Sequence, residues 1–220
     1  MKETQDKVQK ILGVCVDGLP FFFAFLTVTI IVFVWKGIWI SSPLIILSLW
    51  CLWFFRDPDR KPENATQNSI VSPADGKIIR IQEVQHPYLL SGSALRVSVF
   101  MSVFNVHVNR IPLTGTIQDL EYHKGKYFSA YNDKASLDNE QMGIVLKTGT
   151  HTIMFVQIAG LIARRIICRL KKGESVVQGQ RFGLIRFGSR VDLYLPPQIR
   201  LSVKLGDKVL SGQTILGELS

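Results

Sequence analysis

Cysteine is scarce and poorly spaced for a scaffold. Cys15, Cys51 and Cys168 lie far apart, with no C-x-x-C pair. That excludes a disulfide framework and counts strongly against a cysteine-based zinc site. Acidic residues are thin in one region. Residues 161–200 carry nine Lys/Arg against only Glu174 and Asp192, so +7 of the net +9 sits there. Such a stretch predicts a basic face for an anionic partner, either nucleic acid or an acidic lipid surface. The basic residues lack interleaved aromatics, which counts against a nucleic-acid platform. Charged residues are 20% and hydrophobic residues 47%, too apolar a balance for a disordered or low-complexity chain. No sustained helical period appears after residue 60, so the bulk of the chain is not expected to be helical.

What is present begins with two uncharged runs. Residues 19–35 read LPFFFAFLTVTIIVFVW and residues 38–55 read IWISSPLIILSLWCLWFF, separated by Lys36-Gly37. Each is near the lower limit for a bilayer span, about 17–25 residues. A secretory signal would have a shorter apolar region, about 7–15 residues, and a small-residue cleavage site, which is absent. The two runs predict a membrane-associated helical hairpin over 1–55, either spanning or re-entrant. Lys2, Lys7 and Lys10 precede it, and Arg56, Arg60 and Lys61 follow. Both ends then emerge on one side, and positive flanks favour the cytoplasm. Residues 56–72 are polar and proline-marked and read as a linker.

Residues 73–220 read as a β-rich domain. Short β-branched runs alternate with turn signals at 77–84, 95–103, 143–158 and 165–170, with a hairpin turn at Lys147-Thr-Gly-Thr150 and short helical turns around 127–141. The strongest fold signal is an internal repeat: GESVVQGQ at 173–180 and GDKVLSGQ at 206–213, offset by 33. Each copy is a turn, a short strand and a second turn where glycine permits positive φ. The fold class expected is mainly β, a barrel-sandwich-hybrid-like body with an internal repeat, plus the N-terminal hairpin. That architecture serves several unrelated functions.

Three places could carry chemistry. His107, one of four histidines with His86, His123 and His151, sits in FMSVFNVHVNRIP; strand alternation puts Asn105, His107 and Asn109 on one face. Asp75 lies in Ser72-Pro-Ala-Asp-Gly76, a turn signal that also sets a carboxylate at a strand entrance. Gly188-Ser189 interrupts a strand-like stretch, with Arg186 and Arg190 flanking it as candidate holders of a phosphate or carboxylate. Each is weak alone.

Together they carry a resemblance. FFRDPDR (54–60), SPADG (72–76), VFMSVFNVHVNRIP (99–112), GKYFSAYNDKASLDNE (125–140), VQIAGLIARRI (156–166) and GQRFGLIRFGSRVDLYLP (179–196) follow in order. The chain resembles the phosphatidylserine decarboxylase family, in its short bacterial and archaeal class. The resemblance implies a membrane-bound proenzyme that cuts itself between Gly188 and Ser189. A β chain of 1–188 and an α chain of 189–220 would remain as a heterodimer, the α chain opening with a pyruvoyl group made from Ser189. That group would form a Schiff base with phosphatidylserine in an anionic membrane and yield phosphatidylethanolamine, with no metal and no PLP. His107 would be the base, Asp75 would orient it, and Arg186, Arg190 and Asn105 are candidate substrate contacts. The location implied is the cell inner membrane, with the catalytic domain on the cytoplasmic side and no nucleic-acid partner.

Phe187-Gly-Ser-Arg190 stands where the longer class shows Leu-Gly-Ser-Thr. Asn105 and Arg110 stand where that class has an Asp and a second His. Other readings are a non-enzymatic membrane adaptor, a lipoyl-type carrier using Lys134 in Asn132-Asp-Lys-Ala135, and a zinc peptidase. The last needs an H-x-H pair that Asn109 breaks.

Overall fold

The computed structural model describes residues 6–62, 64–85, 92–125, 139–160, 165–186 and 189–219. The chain forms two units, Val8–Asp59 and a body of Arg60–Ser220 joined by the N-terminal residues through Lys7.

The first unit opens with β1 (Lys10–Ile11) and β2 (Val14–Cys15), then a 3-10 turn, α1 (Leu19–Lys36) and α2 (Ile38–Phe54). The helices pack on each other through small polar residues: Thr29 and Ser48 hydroxyls meet at 3.3 Å, and each also back-bonds its own helix. Gly37 makes the reversal at φ +76. Pro43 lacks the N–H that would reach the Trp39 carbonyl, and the Ser42 hydroxyl donates there instead at 3.0 Å. The outer surface is apolar nearly throughout, with Trp35 80% and Trp39 88% exposed. At about 1.5 Å per residue, α1 is about 27 Å long, close to the bilayer core of about 30 Å. With its preceding turn, α1 is long and apolar enough to cross a membrane.

The body contains β3 (Ser69–Val71), β4 (Gly76–Gln85), β5 (Ser93–Met101), β6 (Val108–Arg110), β7 (Gly115–His123), β8 (Gln141–Thr148) and β9 (His151–Ala159). There follow β10 (Ile166–Cys168), β11 (Ser175–Val176), β12 (Arg181–Ile185), β13 (Ser189–Leu195), β14 (Arg200–Leu201), β15 (Lys208–Val209) and β16 (Ile215–Glu218). The mainly β expectation holds. An eight-stranded sheet runs β11-β7-β8-β9-β13-β5-β4-β15, beside two three-stranded sheets, β10-β12-β6 and β14-β16-β3. One apolar core joins them, built from residues such as Ile70, Ile78, Val99, Ile117, Phe155, Phe182 and Val191. The hairpin turn falls at Gly149-Thr150, with Thr148 opposite His151 and Gly149 at φ +53. Strand β3 lies inside the stretch read as a linker and is fully buried. The helical turns expected around 127–141 fall almost wholly outside the described residues.

The repeat has a definite structural meaning. Its two short strands, β11 and β15, close the two opposite ends of the same sheet. The segments they pair with also correspond, Ser72–Ile78 with Ile111–Ile117. Ile78 N–H donates to the Asp207 carbonyl as Ile117 N–H does to Glu174, both at 2.9 Å. Gly212 N–H donates to the Ser72 carbonyl at 2.7 Å, as Gly179 N–H does to Ile111 at 2.8 Å. A Cβ on Gly76 would lie 2.0 Å from the Phe100 carbonyl oxygen, and one on Gly115 2.2 Å from that of Lys147. Both positions need glycine for close backbone approach.

Candidate active site

The repeat singles out Asp75. In one copy the Thr114 hydroxyl accepts from Gln178 N–H at 3.0 Å; in the other the Asp75 carboxylate accepts from Ser211 N–H at 2.8 Å. A hydroxyl would satisfy that donor, so the structural need alone does not call for a charge. Asp75 is buried, and Arg60 grips it bidentately, with Nη1 to Oδ1 and Nη2 to Oδ2, the latter at 3.0 Å. A buried carboxylate needs such a partner. Its Oδ2 also accepts from Val106 N–H at 3.4 Å, one residue before His107.

His107 is buried in the segment leading into β6. Its Nδ1 lies 2.9 Å from the Asn105 carbonyl. A carbonyl only accepts, so Nδ1 carries the proton and a neutral ring keeps its lone pair on Nε2, the basic nitrogen. The strand expected through 105–109 begins only at Val108. Asn105 instead closes a turn, its Oδ1 accepting from Ser102 N–H at 2.9 Å and the Ser102 hydroxyl at 2.8 Å. That is a local role for a short polar side chain.

Ser189 opens β13 at the centre of the large sheet, opposite Met101 on β5 and Ala159 on β9. It is fully buried, and its hydroxyl has no hydrogen-bond partner among the described residues. Strand alternation sets its side chain with Val191 and Leu193 on the core face. Diagonally across, Gln157 shares that face; its Nε2 donates to Asn109 Oδ1 at 2.8 Å while its Oε1 is likewise unsatisfied among the described residues. The Asn109 amide lies 3.7 Å from the sulfur of Met101, the cross-strand partner of Ser189. Ser189 Oγ and Gln157 Oε1 are thus two buried oxygens on one face with no partner among the described residues, and buried polar groups are normally hydrogen-bonded. These contacts tie Asn109, two residues after His107, to the strand neighbours of Ser189.

The arginines behave differently. Arg190 lies on the opposite face of β13, fully buried, with Nε 2.8 Å from Asp192 Oδ1 and Nη2 donating to Oδ2 at 3.0 Å. Its charge is spent within its own strand, on the face away from Ser189. Arg186 follows the end of β12, half-buried, its N–H donating to the Arg165 carbonyl at 3.3 Å. Phe187, Gly188 and the carrier-like Lys134 lie outside the described residues. The basic stretch is also not one basic face: Arg181 pairs with Asp6, Lys172 with Asp119 and Arg190 with Asp192. A separate cleft of about 710 Å³ beside Thr114, His151 and Gln178 is lined by none of the candidate residues.

The family model described as phosphatidylserine decarboxylase matches residues 47–217. The chain belongs to the phosphatidylserine decarboxylase family. It is 48% identical over 205 residues to a phosphatidylserine decarboxylase proenzyme of Ralstonia pickettii, covering 92% of this chain and 94% of that one. It is 44% identical over 206 residues to one of Magnetococcus marinus, with the same coverage, and 44% identical over 211 residues to one of Pelobacter propionicus, covering 92% and 95%. The chain is therefore a carboxy-lyase of this family, and the adaptor, carrier and peptidase readings fall away. Within the family frame, the sequence reading took Arg60 only as a basic flank of the hairpin, not as the partner of Asp75, and did not single out Gln157. Arg60 stood in the quoted FFRDPDR. Gln157 is the one polar residue in the apolar run Ile153–Ala159, a signal that was available.

Proposed function

We propose that this chain cuts its backbone between Gly188 and Ser189 and then converts phosphatidylserine to phosphatidylethanolamine with the pyruvoyl group left on the new N-terminus. The observation that carries the reading is the Ser189 hydroxyl, buried without a partner among the described residues at the residue that follows Gly188.

Ser189 Oγ attacks the Gly188 carbonyl carbon; the Gly188–Ser189 amide bond breaks and an ester takes its place. Loss of the Ser189 α-proton expels the Gly188 carboxylate and leaves dehydroalanine. Water enters, ammonia leaves, and the pyruvoyl group remains. A base is needed for the hydroxyl and for the α-proton, and His107 Nε2 fills that role. Asp75 acts on the main chain beside it, holding Val106 N–H, with Arg60 as its counter-ion. This differs from an Asp bonded directly to the imidazole. Gln157 and Asn109 line the Ser189 face and can orient polar groups there. When present, the pyruvoyl carbonyl supplies an electron sink for the pair released as carbon dioxide leaves. Residues 1–188 and 189–220 stay together as a heterodimer, because Ser189–Tyr194 is paired with strands on both sides within the sheet. The positive flanks of the hairpin support anchorage in the inner membrane with the body on the cytoplasmic side.

The test is a denaturing gel with an activity assay. Wild type gives two bands, the smaller about 3–4 kDa by scaling 24.8 kDa over 220 residues. Ser189→Ala gives one full-length band and no decarboxylation. A blocked small chain from the Ala variant would sink the proposal.

A further inference from the structure

The end of the sheet beside Asp75 differs from its repeat-related counterpart. There, Lys208 on β15 stands directly opposite Lys77 on β4. Like charges facing each other across strands destabilise a sheet. At the other end the corresponding pair is Ser175 opposite Thr116, neutral and polar. Lys204 adds a third cation in the turn before β15, and all three lysines are exposed. Asp207 sits among them, but its carboxylate accepts from Lys204 N–H at 2.9 Å. Among the described residues none of the three lysines forms an ion pair. At the other end, by contrast, Lys172 pairs with Asp119, and Glu174, the counterpart of Asp207, with Lys7.

The same turns expose apolar side chains. Leu205 is 64% and Leu210 42% exposed, and Leu205 stands where the other copy has Lys172. Leu210 adjoins Ser211, whose N–H holds Asp75. Exposed leucines set among unpaired lysines match the interface of an anionic bilayer, where apolar tips enter the acyl boundary and ammonium groups stay at headgroup level.

We propose that the β15 edge, Lys77, Lys204 and Lys208 with Leu205 and Leu210, docks the body onto an anionic lipid surface and sets the Asp75 side of the site against the headgroups. The proposal rests on the phospholipid substrate of the preceding reading. It replaces the basic stretch 161–200 as the electrostatic contact, because three of that stretch's charges are neutralised internally.

The test uses the full chain, reconstituted into phosphatidylcholine vesicles with or without phosphatidylglycerol, and reads amine-reactive labelling of each lysine by mass spectrometry. Lys77, Lys204 and Lys208 are expected to be protected in the anionic vesicles, and exposed again at high salt and in neutral vesicles. Lys171 and Lys172 serve as controls and stay labelled throughout. Lys77→Gln and Lys208→Gln each lower the docked-to-undocked ratio roughly five-fold, the equivalent of about 1 kcal/mol per lysine near an anionic surface. Both variants keep wild-type activity on a short-chain substrate in neutral micelles. Equal protection in neutral and anionic vesicles, protection of Lys171 and Lys172 instead, or equal protection by a DNA oligonucleotide in place of vesicles would overturn the proposal. A chain inactive in micelles yet protected on anionic vesicles would sink the decarboxylase reading and leave the docking surface standing.

Discussion

Replacing Arg60 by alanine removes the only side-chain cation that the described contacts place on the Asp75 carboxylate. The pair is well shielded, with side-chain exposures of 11% and 4%, so solvent does little to screen it. Breaking one side of a buried ion pair costs about 3–5 kcal/mol, because the remaining charge keeps its desolvation penalty. Two main-chain donors stay on Asp75, Ser211 at 2.8 Å and Val106 at a long 3.4 Å, so the lower end applies, roughly 3 kcal/mol. For a chain of this size that lowers the unfolding midpoint by roughly 6–12 °C. Arg60→Lys falls between, since one ammonium cannot serve both carboxylate oxygens in a planar fork. The double variant Arg60→Ala with Asp75→Asn recovers part of the stability of Arg60→Ala, because a neutral amide needs no counter-ion. Self-cleavage slows in Arg60→Ala as the segment before His107 loses its anchor through Val106. The assays are thermal unfolding in mild detergent and time-resolved gels of freshly made protein. An Arg60→Ala variant that melts within about 2 °C of wild type, a shift worth no more than about 1 kcal/mol, and cuts at the wild-type rate would refute the reasoning.

His107→Ala removes the proposed base, and self-cleavage timed on gels is expected to fall roughly 10²–10⁴-fold; wild-type speed would move the base elsewhere. Tyr194 supplies a pH test. Burial first, and Asp192 second, push its phenol up to about 12, against a weaker opposing effect of Arg96. The folded state then holds the proton more tightly than the unfolded state, so stability is full below about pH 10 and falls as pH rises through about 10–12. Tyr194→Phe flattens that part of the urea-unfolding profile measured against pH. An unchanged slope in the Phe variant would assign the loss to other groups.

Sequence alone determined the parts governed by local pattern. The uncharged runs broken at Lys36-Gly37 are α1 and α2, because uncharged apolar runs of this length admit few other solutions. The Gly149 hairpin and the turns at Gly173, Gly179, Gly206 and Gly212 all carry positive φ, which is a property of glycine itself. Ser189, His107 and Asp75 were legible as an ordered set of motifs. Tertiary structure decided who meets whom. Asp75 turned out to hold Arg60 and two main-chain donors, Arg190 to be spent on Asp192 behind the sheet, and Asn105 to close its own turn. Strand alternation could have set Arg190 on the opposite face from Ser189, but not shown that a buried acid two residues on would consume it. Nor could the repeat at 173 and 206 reveal that its copies cap opposite ends of one sheet, one with a neutral pair and one with facing lysines. Those facts depend on register between segments far apart in the chain, Ser175 with Thr116 and Lys208 with Lys77, which no local spacing encodes.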